Sequence, residues 1–391
     1  MKRVKSLALI FFLILITSCQ EPDPFSPMEN DLKDNSLFKG ENVVKVMTRN
    51  IYVGTDVDRI LMEQDPNQIP IRVAEAFQTL LATNFPERAE AFAREIYENQ
   101  PHLIGLQEVS LIRMQSPGDA VIGGTIPAEE VVMDYLEILL KTLEAFGLEY
   151  DVVAKVKNID VEMPMIVNPD PLEFSDVRLT DYDVILAKRG IQISSVVEKN
   201  YKAKVEIAEL GLVLPRGYTA VTAEINNIKF RFVNTHLEDA DEGGDLLIIQ
   251  KAQAAELLLR LSLVRTPVIL VGDFNSAAPD GDTYKLLTYT NRYKDTWLYN
   301  IDKTNLDGYT YGHDLDLLNP TQNFWKRIDY VFVRNGLKKL HPVKLDKVNA
   351  EVLGDEPSDK TSSGLWPSDH GGIAAELNFK LVKFNNHKRK I

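Results

Sequence analysis

The stretch LWPSDHGGIAAEL, residues 365 to 377, places an aspartate beside a histidine just before an alternating apolar run. Neighbouring side chains of an extended segment point to opposite faces, so Asp369 and His370 cannot share one partner. Aspartate and histidine are side chains that bind metal ions and transfer protons. Each of the two residues must therefore serve a different partner.

Other polar side chains stand where predicted strands end. Glu108 ends HLIGLQEV, His236 ends IKFRFVNTH, and Asp273 and Asn275 end PVILVGDFN. Asn50 lies late in the first predicted strand. In a layered α/β domain, strand ends that face the same way meet at one rim, where ligands bind. The positions of these residues therefore predict one site at that rim.

Each of these residues has an ordinary explanation when it is taken alone. A glutamate at a strand end is commonly solvated, a lone histidine such as His236 is commonly structural, and GDFN suits a simple turn. Asp329 is less ordinary because it lies in RIDYVFVR, an otherwise apolar strand, where a buried charge needs a partner. The structural explanation would be a salt bridge from Asp329 to Arg327 or Arg334.

One domain, from about residue 42 to 380, must position these side chains, because β-rich runs alternate with helical ones and no internal repeat is visible. Asn226-Asn227 predicts a tight hairpin turn. Residues 157–181, which contain three prolines, predict a long loop. The predicted strands are 43–51, 102–109, 151–156, 182–188, 219–225, 228–236, 267–275, 327–334 and 372–379. The predicted helices are 71–83, 87–99, 128–146 and 244–263.

The motifs around these residues resemble, in type and order, those of the endonuclease/exonuclease/phosphatase superfamily of metal-dependent phosphoesterases. This superfamily includes pancreatic-type deoxyribonuclease, abasic-site endonucleases, neutral sphingomyelinases and inositol polyphosphate 5-phosphatases. The resemblance implies an α/β fold, a four-layer sandwich of two mixed β-sheets flanked by helices. The motifs are TRN (48–50), GLQEV (105–109), NTHLE (234–238), VGDFNS (271–276), RIDYVFV (327–333) and PSDHGGIAAEL (367–377).

The resemblance also divides the work between Asp369 and His370. It implies that His370 pairs with Asp329, so that a carboxylate orients the imidazole. It implies that Asp369 serves a metal ion or the attacking water. Glu108 is the expected main metal ligand, and Asn50 is expected to supply a neutral oxygen close by.

The remaining implied roles concern the phosphate. Asp273 and Asn275 are expected to position the nucleophilic water and the phosphate, and His236 is expected to hydrogen-bond a phosphate oxygen. An oxygen-rich ligand set without cysteine suits a hard cation, Mg²⁺ first and Mn²⁺ or Ca²⁺ next. Several relatives also place a tyrosine or arginine from mid-domain at the phosphate, and which residue of TDYDVILAKRG takes that part stays open. The candidates there are Tyr182, Asp183, Lys188 and Arg189.

The N-terminus predicts export and a lipid anchor. MKRVKSLALIFFLILITSC has a basic start, an apolar run from Leu7 to Ile16, and small residues before Cys19, the only cysteine. The residues before Cys19 resemble a bacterial lipobox, which would make Cys19 a lipidated membrane anchor in the cell envelope, at the outer membrane or cell surface. The alternative, a cysteine buried in a short anchor helix, conflicts with an apolar run shorter than the roughly 20 residues of a membrane span. We predict a signal peptide over 1–18, an acidic tether over 19–41 and a basic tail over 381–391.

The net charge of the chain affects which substrates it can bind. The 391 residues carry a formal net charge of −13, and removing residues 1–18 takes away three cations and leaves −16. Non-specific binding to nucleic acid needs clustered Lys and Arg, and the obvious basic run here is confined to residues 387–390. Nucleic acid is therefore possible as a substrate but not favoured, since a bound cation can reverse the local field.

Three functions are consistent with the sequence. The first is a divalent-metal-dependent phosphodiesterase or phosphomonoesterase acting on a non-polymeric substrate, such as a phospholipid head group, an inositol phosphate or a nucleotide. The second is an extracytoplasmic nuclease. The third is a surface-binding lipoprotein that kept the fold and lost the chemistry, since fold alone does not fix function. No feature indicates a partner subunit, so a monomer is expected.

Overall fold

The fold is described from a computed structural model. The predicted signal peptide, Cys19 and the tether lie outside the described residues, as does the tail beyond Leu381. Within the described part of the chain, no helix combines the length and the apolar character needed to cross a membrane. The structure describes residues 42–240, 243–290, 293–302, 304–337, 341 and 343–381.

Fifteen strands are present in the described residues. They are β1 (Val43–Asn50), β2 (Leu103–Gln115), β3 (Glu130–Asp134), β4 (Tyr150–Pro169), β5 (Leu172–Lys188), β6 (Gln192–Asn200), β7 (Val205–Ile207), β8 (Leu212–Leu214), β9 (Gly217–Ile225), β10 (Ile228–His236), β11 (Val268–Asp273), β12 (Lys294–Asp295), β13 (Asp329–Arg334), β14 (Val343–Leu353) and β15 (Gly372–Leu381). The α-helices of the same residues are α1 (Asp58–Leu61), α2 (Ile69–Ala82), α3 (Phe85–Asn99), α4 (Tyr135–Ala145), α5 (Gly244–Ser262) and α6 (Asp282–Lys285).

The two large sheets are both mixed. The first has the order β14-β15-β1-β2-β5-β4, with β3 also paired to β2, and the second has the order β12-β13-β11-β10-β9-β6. Within them β1 runs parallel to β2 and β10 runs parallel to β11, while the other pairs are antiparallel. The carboxyl ends of these four parallel strands therefore lie beside the amino ends of β13 and β15.

Three apolar layers hold the sheets and helices together. The inner faces of the two sheets pack on each other: Val46 and Ile185 of the first sheet belong to the same buried cluster as Phe232 and Val271 of the second. Helices α3 and α4 cover the outer face of the first sheet, and α5 covers that of the second. The predicted four-layer α/β sandwich is confirmed.

The sequence prediction was wrong for residues 157–181. This segment is not a long loop: it forms the outer halves of β4 and β5, a hairpin that turns at residues 170–171. Pro164 lies inside β4, which is an edge strand of its sheet, so the missing N–H can face away from the ladder. Prolines 169 and 171 mark the turn itself.

The predicted helix over 128–146 begins later than expected. Residues 130–134, EVVMD, pair with β2 as a strand, in keeping with the β-branched valines. The helix starts at Tyr135, where the Asp134 side chain accepts a hydrogen bond from the Glu137 amide at 3.0 Å. The other three predicted helices match within two residues.

All nine predicted strands are present. Asn226 and Asn227 both have positive φ, 51° and 61°, and join β9 to β10 as the predicted tight turn. The prediction missed several elements, above all the edge strands β6 and β14.

Candidate active site

The predicted polar side chains meet at one rim of the sandwich. A pocket of about 210 Å³ is lined by Glu108 of β2, His236 of β10, and Asp273 and Asn275 at the end of β11, together with Asp369 and His370 before β15. Asn50 and Asp329 lie directly behind these lining residues, as the hydrogen bonds below show. The structure therefore brings together all eight predicted site residues.

A β-bulge turns Glu108 into the pocket. Leu106 pairs with Val184 and Val109 pairs with Tyr182, so two residues of β2 stand opposite one residue of β5. Glu108 itself has φ +58°, a conformation that non-glycine residues rarely adopt and that is concentrated at functional sites. The Glu108 carboxylate accepts a hydrogen bond from the Val53 amide at 2.8 Å, which fixes its direction.

Asn50 connects the two sheets at this rim. Its Nδ2 donates to Glu108 Oε1 at 2.8 Å and to Asp273 Oδ2 at 3.2 Å. Its Oδ1 accepts from the Tyr52 amide at 3.0 Å. In this arrangement Asn50 bridges two carboxylates through its nitrogen, and its oxygen faces the backbone.

The predicted pair of Asp329 and His370 is present. His370 Nδ1 lies 3.0 Å from Asp329 Oδ2, and both side chains are buried. Neither arginine proposed as a salt-bridge partner is used, since Arg327 pairs with Asp295 at 2.6 Å and Arg334 donates to the Val264 carbonyl. Asp329 therefore orients the imidazole.

The carboxylates around His370 decide its charge. Burial lowers the pKa of His370, but the negative charges of Asp329, Asp273 and Asp369 outweigh burial and raise the pKa to about 10. His370 is therefore an imidazolium at neutral pH, with Nδ1–H directed at Asp329. Its Nε2 lies 3.7 Å from Asp273 Oδ2 and lines the pocket.

Asp273 is poised to accept a proton. Burial and the charge of Asp329 raise the pKa of Asp273 to about 7, against the opposing effect of His370. Its Oδ1 accepts a hydrogen bond from the Asn275 amide at 2.9 Å. A carboxylate with a pKa near neutrality can take a proton from water and release it again.

His236 is held as a neutral hydrogen-bond donor. Burial, followed by the charges of Arg216 and His370, lowers the pKa of His236 well below its usual value. Arg216 lies 3.1 Å from His236 Nδ1, and a guanidinium can only donate, so Nδ1 accepts and Nε2 carries the proton. Nε2 lies 3.5 Å from Asp273 Oδ2 and 3.2 Å from Nδ2 of the Asn275 side chain.

The donor set fits a divalent cation. Asp369 is buried and lines the pocket together with Glu108, and burial, reinforced by the charge of Glu108, raises the pKa of Asp369 to about 6. A cation between two such carboxylates would cancel their repulsion, and carboxylate oxygens are the ligands of hard cations.

A second possible ligand group is formed by Asp273, Asp329 and His370, whose ligand atoms lie within 4.8 Å of one another. In this group His370 Nδ1 and Asp329 Oδ2 already bind each other at 3.0 Å, so neither of these atoms is available to a metal ion. Glu108 and Asp369 are therefore the better candidates.

The sequence did not point to several residues that line the pocket. Arg216 and Lys326 bring positive charge to it, and Tyr311 packs edge-on against the His370 ring with centroids 4.8 Å apart. The predicted Asn-Asn turn could have pointed to Arg216. The turn fixes the register of the hairpin, which pairs His236 with Gly217, so Arg216, the residue before Gly217, must lie close to His236.

None of the four mid-domain candidates lines this pocket. Lys188 Nζ donates to the Gln100 side chain and Arg189 pairs with Glu149. Tyr182 packs under the Lys155 ammonium group, and Asp183 is fully buried on β5. Positive charge reaches the pocket lining instead through Arg216, just before β9, and through Lys326, in the segment before β13.

The comparison of sequences decides the family. The profile described as Endonuclease/Exonuclease/phosphatase family matches residues 76–370, most of the chain. The chain belongs to the endonuclease/exonuclease/phosphatase family. Members of this family are metal-dependent phosphoester hydrolases, and this chain is an enzyme of that class.

One solved structure agrees on the fold, and two others are similar to this chain. An endonuclease/exonuclease/phosphatase family protein from Bacteroides thetaiotaomicron is 16% identical, with a TM-score of 0.51 over 87% of this chain and 98% of that chain. A mannosyl-6-phosphatase from the same species is 15% identical, with a TM-score of 0.49 over 85% of this chain and 99% of that one. Truncated TDP2 from Caenorhabditis elegans is 18% identical, with a TM-score of 0.44 over 86% and 98%. No curated protein matches the sequence.

Proposed function

We propose that this family member is a Mg²⁺-dependent, lipid-anchored phosphoesterase of the bacterial cell envelope that hydrolyses a non-polymeric phosphate ester by attack of water. The observation that supports a small substrate is the charge of the catalytic pocket. Eight carboxylates and two fixed cations, Arg216 and Lys326, line it. A long polyanion would meet repulsion along such a surface, whereas a single phosphate can be held by one metal ion and the two cations.

The roles follow from the geometry. Glu108 and Asp369 would hold the cation, with Asn50 supporting it from its position between Glu108 and Asp273. When bound, the cation would supply positive charge to the phosphate oxygens and the leaving oxygen. Asp273, with its pKa near neutrality, would accept the proton of the attacking water.

The histidines would stabilise the charge that develops on the phosphate. His370 would donate from Nε2 as an imidazolium held by Asp329, and His236 would donate from Nε2 as a neutral ring held by Arg216. Asn275, between His236 and Asp273, would position the phosphate. Preorganised donors of this kind act where the transition state gathers charge.

The test is a substrate screen with the purified protein. Bis-p-nitrophenyl phosphate, p-nitrophenyl phosphate, sphingomyelin, inositol phosphates, nucleotides and plasmid DNA would be offered with Mg²⁺ and with EDTA. We expect turnover of a small ester that EDTA abolishes and that Glu108→Ala reduces at least 10³-fold, since it removes a metal ligand. Glu130→Ala, an exposed glutamate of β3, is the matched control and should retain full activity.

The outcomes separate the alternatives. Turnover confined to DNA, falling steeply as salt rises, would replace the proposal by a nuclease. Absence of turnover on every ester, with Mg²⁺ still bound, would favour a binding protein that has lost its chemistry.

A further inference from the structure

A second cavity opens from the catalytic pocket. It is a groove of about 680 Å³ that lies between residues 55–79, which include α1 and most of α2, and residues 311–325. The groove and the catalytic pocket share Thr55, Asp56, Tyr311 and Leu315. We call this cavity the side groove. A phosphate held in the catalytic pocket would extend the rest of its ester into the side groove.

An exposed aromatic ring forms part of the side groove. Trp325 is 61% exposed, whereas Trp297 and Trp366 are buried. One edge of the Trp325 indole packs against Gly312, where a Cβ atom would lie only 2.6 Å from the ring. Tyr311 lies between this indole and the catalytic His370, with ring centroids at 6.3 Å and 4.8 Å respectively. The backbone therefore holds an indole in solvent one ring away from the catalytic histidine.

The charged lining of the side groove is acidic overall. Four carboxylates, those of Asp56, Glu75, Asp314 and Asp316, face two guanidinium groups. One of these, Arg72, is already paired with Glu63 at 3.2 Å and with Glu75 at 3.0 Å. A second phosphate or another anion would be repelled, while carboxylates are strong acceptors for hydroxyl groups.

We propose that the side groove binds a neutral, hydroxyl-rich ring, a sugar, that is ester-linked to the phosphate in the catalytic pocket. Trp325 stacks on the apolar face of the sugar ring, and Asp314 and Asp316 accept hydrogen bonds from its hydroxyls. This inference rests on the proposed function and names the substrate class of the same site as a sugar phosphate ester.

Binding can be tested without turnover. The probes are a hexose 6-methylenephosphonate, whose carbon–phosphorus bond is not hydrolysed, and n-propylphosphonate, which lacks the ring. Isothermal titration in Mg²⁺ should show that the hexose probe binds more tightly to the wild-type protein. We expect Trp325→Ala to weaken binding of the hexose probe about tenfold relative to binding of n-propylphosphonate, which corresponds to the loss of one stacked ring. Tyr289→Ala, which removes an exposed aromatic ring outside the groove, is the control and should leave both affinities unchanged.

Kinetics give an independent reading. A hexose 6-phosphate and n-propyl phosphate are both primary alkyl esters, so their leaving groups are similar. We expect the kcat/KM of the hexose ester, divided by that of the propyl ester, to fall about tenfold in Trp325→Ala. The ratio should fall further when Asp314→Asn and Asp316→Asn are added to this variant.

Two results would overturn the inference. One is an equal loss for the hexose and propyl compounds in Trp325→Ala, which would make the indole a structural residue. The other is tighter binding of a nucleoside 5′-phosphonate than of the hexose probe, which would make the groove a nucleoside site. Failure of the proposed function is distinguishable, because it would abolish hydrolysis of both esters while the phosphonate affinities still report on the groove.

Discussion

Replacing Asp329 by asparagine tests how His370 is held in the pocket. The Asp329 and His370 side chains are both buried, with Oδ2 and Nδ1 3.0 Å apart. Two unit charges at this distance attract with about 5 kcal/mol at an effective dielectric constant near 20, which sets an upper limit for the electrostatic loss. Asparagine keeps the volume of the side chain and removes its charge, so the change isolates that attraction.

We expect Asp329→Asn to lower kcat/KM about 10²- to 10³-fold. Part of the attraction is replaced by a neutral hydrogen bond, and removal of one preorganised donor to a transition-state oxygen has a cost of this size. The assay is hydrolysis of bis-p-nitrophenyl phosphate, or of the best ester from the screen, at saturating Mg²⁺ and neutral pH. Thermal unfolding of the same samples would verify that the variant is folded.

Asp295→Asn is the matched control for this prediction. Asp295 is another buried acid, and its strand, β12, pairs with β13. Its carboxylate lies 2.6 Å from the Arg327 guanidinium, and neither residue lines the pocket. This variant should lower the melting temperature and leave kcat/KM of the folded protein within about threefold. In a double-mutant cycle, adding Asp329→Asn to His370→Ala should lower kcat/KM no further, because both changes remove the same contact. The reasoning is refuted if a folded Asp329→Asn keeps a third of its activity, or if the two losses multiply.

Two further predictions concern stability and location. Burial opposes ionisation of Asp160, but hydrogen bonds from Arg178, Lys157 and Thr180 outweigh it and lower its pKa. A lowered pKa in the folded state stabilises the protein above the unfolded pKa near 4, so Asp160→Asn should cost about 1 kcal/mol at pH 7, and urea unfolding should show this difference shrinking steadily as the pH falls below about 4. A persistent difference at low pH would contradict it. Cys19→Ser should move the protein from the membrane pellet to the soluble fraction on immunoblots, and an unchanged distribution would exclude the lipid anchor.

The location of the site could be predicted from the sequence because strand geometry is local. Alternation of apolar residues identifies a strand, and polar residues at its end must lie at the rim of the sheet. His236 and Asp273 follow this rule and line the pocket, whereas Glu108 lies inside β2 and reaches the pocket through the β-bulge. The tight turn at residues 226–227 was equally local, since two adjacent asparagines favour the positive φ that it needs.

The errors came from context that sequence patterns do not carry. A proline interrupts a central strand but is tolerated on an edge strand. Pro164 lies on β4, and the edge position of β4 depends on long-range pairing that the local sequence does not show. The tautomer of His236 depends on Arg216, and the exposed indole beside the pocket depends on how Gly312 meets Trp325. These contacts arise only when separate segments pack together.

The same packing explains motif residues that have no chemical role. Gly105 of GLQEV faces the second sheet, and a Cβ atom there would lie 2.6 Å from Val271 and 2.7 Å from Asn234. Asn234 of NTHLE accepts a hydrogen bond from Gln107 at 2.6 Å and donates to the Leu106 carbonyl at 2.9 Å. Glycine permits the sheets to approach, and the two amides satisfy one another inside the core.

Arg49 of the TRN motif has a similar task at the helix layer. Its guanidinium binds both Glu95 oxygens, at 3.1 Å and 2.9 Å, and donates to the His370 carbonyl. These three motifs, GLQEV, NTHLE and TRN, therefore each combine a residue of the site with a residue that fixes one layer against the next. Since Asn50 joins carboxylates from both sheets, a shift of one sheet against the other would separate Glu108 from Asp273. The spacing of the proposed catalytic groups thus depends on the buried motif residues as well as on those groups themselves.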